Sequence, residues 1–304
     1  MNSQPRRRDP LPLGGQGLPY SKGLMARALI ATGVPADQAY HLARRIELDL
    51  AEAGEPAVSL DRLEVLAAEA LGESEGERAV SRLRRLAAVQ ELDVPIIVLV
   101  GGSTGTGKST VAVEVAHRLG INRVASTDFI RQTMRAFFSP EFMPTIHYSS
   151  FEAGQALDEE VTGDPTIVGF VEQCRHVCVG VDAALRRALT EGWSMVLEGV
   201  HLVPGLVPRE LEGALVVHVL LEIADEEAHR LHFHFREGAT GGSRAMAKYI
   251  DRFDDIRRIQ TYVCGRARRE GVPVVENANV ERAIDQVIEL VMHAAERPRE
   301  AAPA

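Results

Sequence analysis

The sequence predicts an α/β fold: a parallel sheet with helices on both faces, preceded by a small helical domain. Three observations carry this. Ile96-Ile97-Val98-Leu99-Val100 is a short, continuous apolar run, as expected of a strand buried on both faces. It leads into Gly101-Gly102-Ser103-Thr104-Gly105-Thr106-Gly107-Lys108-Ser109-Thr110, which from Gly102 satisfies the phosphate-binding pattern G-x-x-x-x-G-K-[ST]. Beyond it, short apolar runs alternate with helical periodicity. This implies about five parallel strands wound by helices, with ligands at the carboxyl ends of the strands.

The motif names a P-loop NTPase-type three-layer fold, and each residue type in it has a reason. Glycines let the backbone curl around a phosphate with its N–H groups turned inward. The helix that opens behind them, with Val111, Val115 and Leu119 on one face, points its positive end the same way. Residues Gly102, Ser103, Thr104, Gly105, Thr106, Gly107, Lys108, Ser109 and Thr110 are thus the expected nucleotide cradle. Lys108 is placed to reach β/γ oxygens and the Ser109 hydroxyl to ligate Mg²⁺. Lys108 is also one of three lysines in the chain, with Lys22 and Lys248, among 34 basic residues. A lysine kept in an arginine-biased sequence suits a site that needs a compact ammonium.

Composition limits the alternatives. The 304 residues carry a net charge of −9, which argues against a dedicated nucleic-acid or anionic-membrane binder. The three cysteines, Cys174, Cys178 and Cys264, suit a reduced compartment. No run of 18 apolar residues and no signal-peptide pattern is present. The expectation is a soluble cytoplasmic protein, with a homo-oligomer left open.

Residues 1–17 are rich in Pro, Gly and Arg and are expected to be flexible. Residues 18–92 read as four helices. Ser21 caps the first, with Leu24, Ala28 and Ile30; the second carries Ala39, Leu42, Ile46 and Leu50. Ser59 caps a third, with Leu63, Leu66 and Ala70, and a fourth starts near Glu77. Residues 93–293 form the catalytic domain and 294–304 a disordered tail. Composition alone gives the bundle a structural or oligomerising role.

In the catalytic part a short second strand ends at Ser126 and runs into Thr127-Asp128-Phe129-Ile130-Arg131. Asp128 is placed to take an acceptor hydroxyl proton or hold a water on Mg²⁺; Arg131, three residues on, to bind an anionic acceptor. Residues 138–166 read as an irregular acceptor-side excursion. A long helix from Ile167 to Thr190 precedes the strand Ser194–Leu197, which ends at Glu198, a Walker-B-like carboxylate for Mg²⁺. His201 follows within reach of substrate. After the strand Leu215–Leu221, a helix with Ala228, Leu231 and Phe235 on its apolar face carries Arg230 and Arg236 toward glycines 238–242 and Arg244. Arg236 is the arginine expected on the transferring phosphate. His229, His232 and His234 have no partnering carboxylate or cysteine to complete a metal set. The last strand ends at Glu276-Asn277, and the loop that follows often borders adenine in such folds.

Six stretches together resemble one family, the 2-phosphoglycerate kinases of methanogenic archaea. They are Pro19–Leu24, Ile96–Ser109, Ser126–Arg131, His147–Phe151, Glu198–Gly205 and Phe253–Gln260, in the same order over most of the chain. The resemblance implies an ATP-cone-like N-terminal domain, a small nucleotide-binding module, joined to a P-loop kinase. It implies ATP and Mg²⁺ at Gly102–Ser109, and Asp128 and Arg131 near an anionic acceptor. The implied reaction is transfer of the γ-phosphoryl group to 2-phosphoglycerate, giving 2,3-bisphosphoglycerate. The residues alone also admit a kinase for a sugar acid or nucleoside, or an ATP-sensing regulator without fast turnover.

Overall fold

A computed structural model describes residues 20–90, 92–157, 161–240 and 248–296, with side chains left undescribed at 90 and 234–240. The expectations for 1–17 and for most of the tail fall outside these residues. The chain divides into two compact units. Of the described residues, one comprises Val94–Ala116 and Ile121–Val287; the other holds those up to Asp93, His117–Gly120 and those from Ile288 to Glu296.

The helical unit starts with α1 (Lys22–Ala31), α2 (Ala36–Ala53), α3 (Leu60–Leu71) and α4 (Glu73–Gln90). Ser21 and Ser59 cap α1 and α3 by accepting from the backbone N–H groups of Leu24 and Arg62. This is the capping their hydroxyls predict. Met25, Leu29, Leu42, Ile46, Leu63 and Leu83 close a shared core. Each such side chain contributes about 1.5–3 kcal/mol by leaving water. The fourth helix begins at Glu73, a turn before the expected Glu77. Gly72, at φ +89°, turns the chain within one residue, and Glu73 and Glu75 suit the positive first turn.

The larger unit contains β1 (Ile96–Gly102), α5 (Lys108–Leu119), β2 (Val124–Ser126), α6 (Thr127–Phe137), α7 (Pro165–Thr190), β3 (Met195–Glu198), β4 (Leu215–Glu222), α8 (Glu226–Thr240), α9 (Phe253–Glu270), β5 (Val274–Glu276) and α10 (Val280–Glu296). The end of α5, from His117, and α10 from Ile288 belong to the helical unit, where Glu289 pairs with Arg82 and Arg85. The sheet is five-stranded, in the order β2-β3-β1-β4-β5, and every pairing is parallel. Its centre, β1, is buried along its whole length. The excursion between α6 and α7 holds two 3-10 turns, Pro144–His147 and Ser150–Ala156, packed on α7. Helix α8 departs from its expected face. It buries His229 and Phe233 and leaves Leu231 about half exposed. The buried pair sits at i, i+4 against Gly105, so the helix turns its aromatic side, not its aliphatic one, inward.

Candidate active site

Because all five strands run the same way, the ends of β1, β2 and β3 share one edge of the sheet. Register pairs Glu198 with both Val100 and Ser126. That brings the P-loop, the start of α6 and the end of β3 together from three distant parts of the sequence. Ser109 Oγ donates to Glu198 Oε1 at 3.1 Å, and Glu198 is buried. A serine hydroxyl beside a buried carboxylate is a hard oxygen pair suited to Mg²⁺.

The P-loop is held by contacts to its own carbonyls. Lys108 Nζ donates to Ser103 O at 2.7 Å, and Thr106 Oγ1 donates to the same oxygen at 3.0 Å. Two side chains from outside the motif reach others. His229 Nε2 lies 2.8 Å from Thr104 O, and Asn277 Nδ2 donates to Thr106 O at 2.9 Å. Sequence reading placed His229 only in a histidine cluster and Asn277 only at a strand end. They are 125 and 171 residues from the carbonyls they meet, and no local pattern signals such contacts.

Asp128 stands in the first turn of α6, its backbone N–H capped by Ser126 Oγ and its carboxyl mostly exposed. It accepts from Arg131 Nε at 3.3 Å and makes no hydrogen bond to Ser109 or Glu198. Among the described residues, no three His, Cys, Asp or Glu side chains gather as a metal cluster. Arg131 is largely buried. Its Nη1 donates to Ile146 O and Tyr148 O, both at 3.0 Å, so much of this arginine anchors the excursion between α6 and α7. Lys248 reaches the same segment, 3.1 Å from Ser149 Oγ and 2.5 Å from Glu152. Arg236 lies in α8, but its side chain is outside the described residues, as is Arg244.

His201 is fully buried, with Nδ1 2.8 Å from Thr127 Oγ1 and Nε2 3.1 Å from Gln173 Oε1. Its tautomer follows from Gln173. That amide's nitrogen donates to Thr145 O and Tyr148 O, so its oxygen faces the histidine. Nε2 therefore carries the proton and Nδ1 accepts from Thr127. Desolvation pushes His201 down to about 3, and His218 and His229 down to about 4. All three are neutral when folded and take up protons on unfolding below their ordinary value of 6.5. The unfolded chain then binds more protons, so stability falls as pH drops from about 6.5 toward 4. The slope is up to roughly 1.4 kcal/mol per pH unit for each histidine. Urea titrations across that range should show the decline, with a smaller slope in His218→Gln. A midpoint independent of pH would contradict it.

No protein-family model matches the chain. Curated relatives do. The 2-phosphoglycerate kinase of Pyrococcus furiosus is 37% identical over 275 residues, 90% of each chain. That of Methanopyrus kandleri is 36% identical over 90% of this chain and 84% of its own. The chain belongs to the 2-phosphoglycerate kinase family. The 2-phosphoglycerate kinase of Methanothermobacter thermautotrophicus is 37% identical over 89% of both chains. Membership in the 2-phosphoglycerate kinase family makes the chain a phosphotransferase on a P-loop scaffold. Among its described residues, no helix is long and apolar enough to cross a membrane.

Proposed function

We propose that the chain transfers the γ-phosphoryl group of ATP to the 3-hydroxyl of 2-phosphoglycerate, giving 2,3-bisphosphoglycerate and ADP. The observation that carries this is the P-loop with its serine on a buried strand-end carboxylate, at the sheet edge from which Asp128 also projects. The relatives' shared name supports the choice of acceptor. The acceptor oxygen bonds to the γ-phosphorus as the bridge to ADP breaks, and the hydroxyl proton passes to the Asp128 carboxylate. Lys108 neutralises charge gathering on the β/γ oxygens. Ser109 and Glu198 are the residues that would hold Mg²⁺, which supplies further charge neutralisation there. Arg131 steadies the acceptor side, both through the carbonyls it holds and through the carboxylate it faces. Arg236 belongs to the same reading as a contact to the transferring group. So do the division at residues 18–92 and 93–293 and a cytoplasmic location.

The test is Mg²⁺-dependent ATP consumption by the full chain with 2-phosphoglycerate, 3-phosphoglycerate, glycerate and several nucleosides. The expected result is strong stimulation by 2-phosphoglycerate alone, with 2,3-bisphosphoglycerate as product. Stimulation by another acceptor instead would overturn the substrate assignment. Tight ATP binding with no stimulation by any of them would favour a sensor.

A further inference from the structure

We propose that His229 and Asn277 are positioning residues for the nucleotide: from outside the motif, each captures a P-loop carbonyl and so turns the next amide into the phosphate cradle. The proposal rests on the nucleotide reading of Gly102–Ser109 and deepens it. In a trans peptide the carbonyl of one residue and the N–H of the next point in opposite directions. Fixing Thr104 O on His229 therefore fixes the Gly105 N–H on the loop's far side. Fixing Thr106 O on Asn277 does the same for the Gly107 N–H. Two amides of the cradle are thus set before any anion arrives.

Both outside residues are built for the task. Arg257 has only donors, so the contact of its Nη1 with His229 Nδ1 at 3.4 Å makes Nδ1 the acceptor and leaves Nε2–H for Thr104. Arg257 is itself fixed on Ile223 O and Ala224 O, at 2.7 and 2.9 Å. His229 is fully buried and stacks on Phe233, whose ring backs Gly105. Asn277 is buried, and its Oδ1 has no hydrogen-bond partner among the described residues. An orphaned buried carbonyl is a cost that a leucine of similar shape would avoid. What the amide delivers, at the expense of that orphaned oxygen, is the donor to Thr106 O. A Cβ at Gly107, at φ +79°, would collide with the same amide, so loop and buttress are fitted to one another.

The test uses the full chain and ADP as probe, with calorimetric binding, steady-state kinetics and thermal melting on Asn277→Leu, His229→Leu and His229→Gln. Asn277→Leu removes the orphaned Oδ1 but leaves Thr106 O without its donor, so it is expected to melt close to the parent yet to bind ADP about tenfold more weakly. Its KM for ATP should rise by a similar factor, with the acceptor KM unchanged. His229→Leu should behave alike in binding, and His229→Gln, which keeps a donor near the Nε2 position, should recover most of the loss. Parental ADP affinity in well-folded Asn277→Leu and His229→Leu would overturn the positioning role while leaving the nucleotide reading intact. No ADP binding by the parent protein would overturn both.

Discussion

Lys108→Ala is expected to lower kcat/KM for phosphoryl transfer by about 10²–10³-fold or more, the range set by removing one preorganised donor from a developing anion. The fold should survive. The lysine is not part of the buried core, and the carbonyl it holds, Ser103 O, keeps a second donor in Thr106 Oγ1. Circular dichroism and melting temperature should therefore match the parent while turnover collapses. Lys108→Arg is an informative companion. A planar guanidinium is too large to sit on Ser103 O without displacing the loop, so it should rescue little. Full activity in Lys108→Ala would remove the P-loop from the chemistry.

Asp128→Asn is expected to reduce kcat by about 10²–10⁴-fold, the usual worth of a positioned general base. ATP affinity should stay within twofold. The substitution is nearly isosteric. Ser126 still caps the backbone N–H at position 128, and an asparagine oxygen still accepts from Arg131 Nε. Because the carboxyl makes no hydrogen bond to Ser109 or Glu198, the nucleotide side should not feel the change. Rapid-quench measurement of product formation would separate the chemical step from release. Unchanged kcat would assign the proton to another group, and loss of ATP binding would place Asp128 on the nucleotide.

What the sequence showed and what it hid divide along a physical line. The P-loop, the strand before it and the capped helices are local, so composition and spacing within ten residues expose them. Glu198 was also readable, because a carboxylate closing an apolar strand stands out without knowledge of its partner. Arg131 stood out as a candidate to bind an anionic acceptor, but its anchoring role was not legible. That role depends on carbonyls of Ile146 and Tyr148, in an irregular segment with no periodicity to read. The buried face of α8 was misread for a related reason. Hydrophobicity favours Leu231, yet the surface that helix meets is a glycine loop, which takes flat rings and leaves the leucine outside. Asn277 has nothing apolar or charged to mark it, and its significance exists only in three dimensions.

The strand order has a consequence for how this enzyme can change. β1 is bonded on both sides, while β2 and β5 are three-residue edge strands. Amide exchange should accordingly be slowest in β1 and fastest at the edges, where opening costs least. The phosphate end of the active site is rooted in the most protected strand. The proposed acceptor end hangs from β2 and an irregular excursion. Substitutions that reshape the acceptor side thus draw on the least cooperative part of the fold, whereas those that reshape the loop after β1 put the whole sheet at risk. On the proposed reading, new acceptor preferences should be accessible to this scaffold at low cost in stability, and a new phosphate donor should not.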